Sequence, residues 1–393
     1  MIELKTNDTV LPKIIVIGIG GGGNNAVNRM IDCGLSNVSY ACINTDLHVL
    51  QDCKSEYRLQ IGRNLTGGNG AGANPAIGEA SAKESEEEII NLVNGYDMAI
   101  LTCGMGGGTG TGAIPIVAKI CKELGLLTIA IVTTPFTFES QPRMIAASNG
   151  LEQLKENIDT LLIIPNDKLL KLTDKKIFLE DAFDIADTVL RYTINGITHI
   201  IYNKGIINLD FNDIKTTLCN KGICHLGIGI VDEGSSITEA VNQAINSPLL
   251  ETSISGATNI LINTSGHIDL FELNEAITYV RELAGPDSQI IWGTVTDAAA
   301  ETDKIVVTLI ATGMDEKKPA PNMYIPLPKK SLTHSTGANT TLPVSHTYAA
   351  NAYAATNARV AAIPKNIAVK PPVASPMPEL VIPSFLAKKN NKE

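Results

Sequence analysis

Long uninterrupted apolar runs are missing from this 393-residue chain, so no segment reads as a bilayer span and direct membrane insertion is not expected. CxxC pairs are missing too, although there are seven cysteines, at positions 33, 42, 53, 103, 121, 219 and 224. Most lie in apolar surroundings, which predicts buried free thiols in a reducing cytosol rather than a disulfide framework. None of the six histidines has metal-ligand spacing, so no protein-held metal is read from them. No export leader is read at the start, where Glu3 and Asp8 stand and the first apolar run is short, and a cytoplasmic location follows as an expectation. Aromatics are scarce at 4%, so the hydrophobic 44% is mainly aliphatic and still ample for sizeable cores. Basic charge is short overall, with a net of −10, and unevenly placed. Residues 317–393 hold 10 Lys and Arg against Glu379 and Glu393, which leaves the remainder at about −18. A body that acidic argues against nucleic acid as a partner.

Glycine is what the chain has in quantity. Residues 104–112 contain six glycines in nine positions. Each costs about 0.5–1 kcal/mol in a helix or strand interior, so the run reads as a loop with bare backbone N–H groups. It follows an apolar strand pattern at 98–103 and precedes a helix pattern at 114–124, with Pro115 read near the first turn. A second run, 18–23, follows a strand pattern at 14–17 and leads to a helix pattern from Ala26. Strand, glycine loop and helix N-terminus make a phosphate cradle, and two of them suggest a long polyanion. Neither run contains GxxxxGKS/T, and no Lys stands in either cradle. Backbone dipoles must then do most of the binding.

Residues 12–178 alternate between strand patterns (14–17, 38–44, 98–103, 128–132, 160–164) and helical ones, which predicts a doubly wound α/β parallel sheet with ligands at the carboxyl strand ends. One helix is read over 79–93, its four glutamates a solvated face. Residues 179–204 read as a long central helix, with Ala182, Phe183, Ala186, Leu190, Ile194, Ile197 and Ile201 along one stripe. Residues 205–316 read as a second, α+β unit, with strands at 223–231, 259–263, 289–295 and 305–311 and helices at 236–246 and 270–283. Beyond it the composition turns rich in proline, which predicts a disordered linker over 317–378. An apolar island inside 379–393 reads as a docking peptide.

Two alternatives stand beside the phosphate reading. The run at 18–23 satisfies GxGxxG, and Asp46 stands where a ribose-binding acid belongs, as in a dinucleotide-dependent oxidoreductase. That assignment leaves 106–112 and 208–213 unexplained. For Asp210 and Asp213, three residues apart before a helix pattern, the plain reading is an N-cap and a first-turn acid.

These glycine loops, together with Asn44-Thr45-Asp46, the segment 70–75, the segment 133–143, the segment 164–170 and the segment 208–213, taken in order, make the chain resemble the tubulin/FtsZ family, most closely its bacterial cell-division members. The resemblance covers about residues 12–316 and resumes weakly near 379–388. It implies a Rossmann-like GTPase domain, a long central helix and a tubulin-like second domain. It also implies a GTP site. Gly21, Gly22, Gly23, Asn24 and Asn25 would form its first phosphate loop, and Ala71, Gly72 and Ala73 would approach the γ-phosphate. Gly104, Gly107, Gly108, Thr109 and Gly110 would cradle the α- and β-phosphates. Glu139 and Arg143 would contact ribose and phosphate, and Asn166, Phe183 and Asp187 the guanine. A carboxylate at 187 can accept from guanine N1–H and N2–H₂ together, which adenine does not offer. Asn208, Asp210 and Asp213 would position the attacking water.

If Asp187 touches the base, the helix carries the chain about 25 Å away before Asp210 is reached. These acids therefore serve the nucleotide of the next subunit in a head-to-tail filament, a homopolymer. Mg²⁺ is expected through the phosphates and water. The resemblance further implies concentration at the division site at midcell. It implies docking of membrane-anchor and regulatory division proteins to the tail peptide, in which Val381 replaces the family's acid and Ala387 its arginine. A member that assembles without hydrolysis is the alternative within the family.

Overall fold

The computed structural model describes residues 11–32, 38–169, 179–202, 205–207, 210–232, 234–246, 253–266, 268–295 and 304–314. The readings made for Asn208, for the linker 317–378 and for the tail 379–393 lie outside the described residues.

In chain order the elements are β1 (Ile14–Ile19), α1 (Gly20–Asp32), β2 (Ser39–Asn44), α2 (Leu47–Gln51), β3 (Tyr57–Gln60), α3 (Arg63–Thr66), α4 (Pro75–Glu84), α5 (Glu86–Val93), β4 (Met98–Gly104), α6 (Thr109–Glu123), β5 (Leu127–Thr134), α7 (Gln141–Glu156), β6 (Thr160–Pro165) and α8 (Asn166–Leu169). Then follow α9 (Leu179–Tyr202), β7 (Gly205–Ile207), α10 (Phe211–Leu218), β8 (Gly222–Ile223), β9 (His225–Asp232), α11 (Ile237–Ile245), β10 (Asn259–Ser265), α12 (Leu270–Ala284), β11 (Gln289–Val295) and β12 (Lys304–Thr312).

Seven strands form one sheet in the order β3-β2-β1-β4-β5-β6-β8, every pairing parallel. A parallel sheet needs both faces covered, and the aliphatic runs Ile14–Ile19 and Leu127–Thr134 supply side chains for both. Val16, Ile100 and Ile129 pack toward α1 and α9 on one face; Ile17, Leu101 and Ala130 pack toward α4–α7 on the other. The order reverses between β1 and β4, and the doubly wound rule puts a ligand crevice outside that point.

The second sheet runs β7-β11-β10-β12-β9 and is mixed, with only β10 and β11 parallel. It has its own core under α11 and α12, and Leu226, Leu261 and Ile310 join the cluster that α9 shares with the first sheet. On α9, Ala186, Leu190, Ile194 and Ile197 are buried, as the stripe predicts.

Four local readings need correction. The glycines do not all precede their helices: Gly20 opens α1, and Gly110 and Gly112 lie within α6, so Pro115 is the seventh residue of that helix. The stretch 79–93 is two helices, broken at Ser85, whose hydroxyl accepts from the Gly62 N–H at 3.3 Å. The apolar run 223–231 changes sheet. Ile223 pairs with Leu161 in the first sheet, and His225 opens a strand of the second. β3 has no apolar pattern to announce it: its four residues Tyr-Arg-Leu-Gln form an exposed to half-buried edge.

Candidate functional site

At the switch point, two glycine turns lean on each other. A Cβ on Gly20 (φ +72°) would fall 2.8 Å from the Gly110 nitrogen, and one on Gly22 would fall 3.3 Å from the Gly104 nitrogen. The loop before α4 closes a third side, since a Cβ on Gly108 would meet the Asn74 nitrogen at 2.8 Å and Ala71 Cβ at 2.9 Å. A fourth wall touches Gly106, where a Cβ would sit 2.7 Å from Pro135 and 2.9 Å from the Arg143 carbonyl. By contrast, a Cβ on Gly21, Gly72 or Gly107 would meet nothing within 4 Å. Those three positions are sterically open. The crevice therefore has walls of bare backbone that collapse where glycine is sterically required and open where it is not. Helices α1 and α6 both begin here, and their first turns carry N–H groups without intrahelical partners.

Hydroxyls and amides brace the loops. Thr45 and Thr109 hydroxyls lie 2.6 Å apart, and Thr111 Oγ1 accepts from the Gly106 N–H at 2.8 Å. Asn24 is fully buried: its amide donates to the Gly18 carbonyl at 2.8 Å, and its oxygen accepts from Asn44 at 2.7 Å. Its side chain thus ties β1 to β2 and is not offered to a ligand. Gly23 is also buried, where a Cβ would strike the Thr102 carbonyl at 2.4 Å. Within the first loop, Gly21, Gly22 and Asn25 are the exposed residues.

Beyond the carboxyl ends of β5 and β6 the surroundings are aromatic and polar. Phe183 is 40% exposed rather than buried in the helix stripe. It meets Phe136 edge-on at 5.4 Å, and Phe136 stacks with Phe138 at 4.9 Å. Asp187 pairs with Arg29 on α1 at 3.1 Å (Nε to Oδ2). Asn166 is buried and its Oδ1 has no hydrogen-bond partner. An orphaned buried acceptor is costly, and a ligand that brings an N–H or O–H donor relieves it. Glu139 accepts from the Phe136 N–H at 2.9 Å and pairs with Arg143.

Asp210 and Asp213 cap α10 reciprocally. Asp210 Oδ1 accepts from the Asp213 N–H at 2.8 Å, and Asp213 Oδ2 accepts from the Asp210 N–H at 3.1 Å. The plain reading is therefore realised in the local geometry. Capping uses one oxygen of each acid and leaves further lone pairs on both. Asp46 likewise caps α2, accepting from His48 and Val49 N–H at 2.9 and 3.3 Å, which accounts for that acid without a ribose.

Arg29, Phe136 and the Thr45–Thr109 pair were not found from the sequence. The partner of Asp187 comes from another helix some 160 positions away, and no spacing announces it. Among the described residues, no group of three or more His, Cys, Asp and Glu side chains is placed to hold a metal ion, and no helix is long and apolar enough to cross a membrane.

Residues 13–174 match the family model described as the tubulin/FtsZ family GTPase domain, and residues 222–315 match that of the FtsZ family C-terminal domain. Among solved structures, an empty FtsZ dimer of M. jannaschii is 43% identical, over 77% of this chain and 89% of that one, with a TM-score of 0.72. The GDP-bound monomer of CetZ1 from Haloferax volcanii is 20% identical over 77% of this chain and 95% of that one, with a TM-score of 0.67. The GTPγS-bound protofilament of CetZ2 from the same organism is 18% identical over 78% and 94%, also at 0.67. At those last two identities the likeness concerns the fold alone.

Proposed function

This chain belongs to the tubulin/FtsZ family, and from that premise we propose that it is a cytoskeletal GTPase that binds GTP in the glycine crevice and assembles head to tail. The observations that support the reading are the sterically open positions at Gly21, Gly72 and Gly107, on loops that touch one another, and the unpaired Asn166 acceptor directly after β6. Backbone N–H groups of the first and second loops bind the phosphates, and the turn at Ala71, Gly72 and Ala73 lies against the γ-phosphate. Phe183 stacks on the base, Asp187 and Asn166 hydrogen-bond its edge, and Glu139 and Arg143 hold ribose and phosphate. Mg²⁺, held through the phosphates and water, would supply charge neutralisation that the cradle lacks.

The acids at the start of α10 complete the site across the contact between subunits. From Asp187 to the end of α9 the chain advances about 22 Å, which carries it away from its own nucleotide before Asp210. Asn208, Asp210 and Asp213 of the next protomer orient the attacking water and accept its proton. A contact that does not close on itself builds a filament, and hydrolysis then depends on assembly. In the cell, this reading places the protein in the cytoplasm, concentrated at the division site as part of the septal ring. Residues 379–393 dock the membrane anchors and regulators.

Phosphate release measured across protein concentration, with light scattering alongside, tests this. The specific rate rises steeply where scattering begins; monomer and polymer hydrolysing at one specific rate would overturn it. Asp213→Ala is expected to bind GTP and lose turnover at least tenfold. Gly107→Asp, which sets a like charge in the cradle, loses binding. Mixing the two restores part of the turnover, whereas co-assembled mixtures with none would refute the shared site.

A further inference from the structure

We infer that Arg29 is a specificity-positioning residue: its guanidinium holds the Asp187 carboxylate ready to read guanine, and so joins the phosphate-loop helix to the base-reading helix. This rests on the nucleotide reading above and adds to it a residue that reading does not contain.

Three observations converge. First, Arg29 Nε lies 3.1 Å from Asp187 Oδ2, a charge-assisted contact between α1 and α9. Second, the Asp187 side chain is only 15% exposed, whereas that of Arg29 is 39% exposed. A mostly buried carboxylate must be paired to stay charged, and a charged one is required to accept two N–H groups from a base. Third, Arg29 belongs to the helix whose first turn is the glycine loop, Gly20–Gly23. Arg29 stands nine residues from Gly20, about 13 Å along the helix.

The fork of a guanidinium restrains rotation of its partner carboxylate in a way that a lysine ammonium does not. A carboxylate has about four lone-pair positions, so an oxygen engaged by Arg29 still leaves acceptors for a ligand. Discrimination of guanine from hypoxanthine depends on the 2-amino group, and reading it requires the second acceptor to stay in line. If Arg29 is lost, Asp187 keeps its chemistry but not its orientation. The N1–H contact, common to both bases, suffers less than the contact that distinguishes them.

The test compares GTP with ITP, each displacing a fluorescent GDP analogue from dilute, unassembled full-length protein. Wild type is expected to bind GTP at least tenfold tighter than ITP. Arg29→Met is expected to bring the ratio below about threefold, chiefly by weakening GTP, and Arg29→Lys to give an intermediate ratio. A ratio cancels any general loss of folded protein, so a purely structural role leaves it unmoved. Thermal unfolding identifies the folded variants, and Arg29→Gln replaces Arg29→Met should the latter fail to fold. A wild-type ratio in every folded variant overturns the inference while leaving the nucleotide reading intact. Failure of wild type to bind GTP overturns that reading instead.

Discussion

Ser140 stands at φ 136° and ψ 152°, a region that glycine alone occupies without strain. It separates Glu139 from α7, which carries Arg143, and the turn is held from outside: the Thr137 N–H donates to Asp167 at 2.9 Å, and Glu139 grips the Phe136 N–H. Strain of this kind costs about 1–3 kcal/mol and persists where surrounding bonds over-determine the backbone. Ser140→Gly is therefore expected to stabilise the protein by about 1 kcal/mol in urea unfolding, after the added entropy of the unfolded glycine is subtracted. Not every glycine in the signature run carries the same meaning. A methyl on Gly107 meets nothing within 4 Å, whereas one on Gly112 would sit 1.9 Å from the Pro75 carbonyl. Gly107→Ala is expected to leave the unfolding free energy within about 1 kcal/mol of wild type and to weaken GTP binding several-fold. Gly112→Ala is expected to destabilise by about 2 kcal/mol or more, its gain in helix propensity overridden by the clash. Equal effects of the two in urea titrations would contradict this division.

At the scale of elements, the contact between α4 and α6 explains why the glycine run extends into a helix. Gly78 and Gly112 let the two backbones approach, and a Cβ on Gly78 would fall 2.4 Å from the Gly108 carbonyl. This contact seats the loop bearing Ala71–Ala73 against the second glycine loop. Asn74 then caps α4, accepting from the Ala76 N–H at 3.0 Å. The later part of the first glycine run, Gly20–Gly23, likewise becomes the opening turn of α1, so the N–H groups that a mid-helix position would consume are left without intrahelical partners. Helix propensity by itself keeps both glycine runs out of helices. The cost is offset here by close packing, which only the partner element supplies.

For the whole molecule, the buried thiols set an alkaline limit. Burial pushes Cys42, Cys121 and Cys224 up to about 12, from an ordinary value near 9.0, and pushes Cys103 up as well. The folded state keeps those protons where the unfolded chain has lost them. Stability is thus full below about pH 9 and falls as pH rises toward 12, by about 1.4 kcal/mol per pH unit for each thiol. Urea midpoints recorded from pH 8 to 11 are expected to decline, and Cys121→Ala is expected to make the decline shallower. An unchanged slope in that variant would show that its thiol is not the source.

The sequence by itself determined the parallel sheet, the position of both glycine loops and the long helix, because aliphatic runs of strand length and glycine clusters are local signals. It also pointed to Phe183 and Asp187 on one helix face, four residues apart. What the tertiary structure alone decided is how those residues are partnered. Asn24 turns inward to lash two strands together, Asp46 caps a helix, and Arg29 arrives from α1 to hold Asp187. The single apolar run around Ile223 divides between two sheets at Cys224, whose N–H still bonds Leu161 in the first. Periodicity records that a side chain is buried. It carries no information on which distant element covers it, since that choice is made by packing across more than a hundred residues of chain.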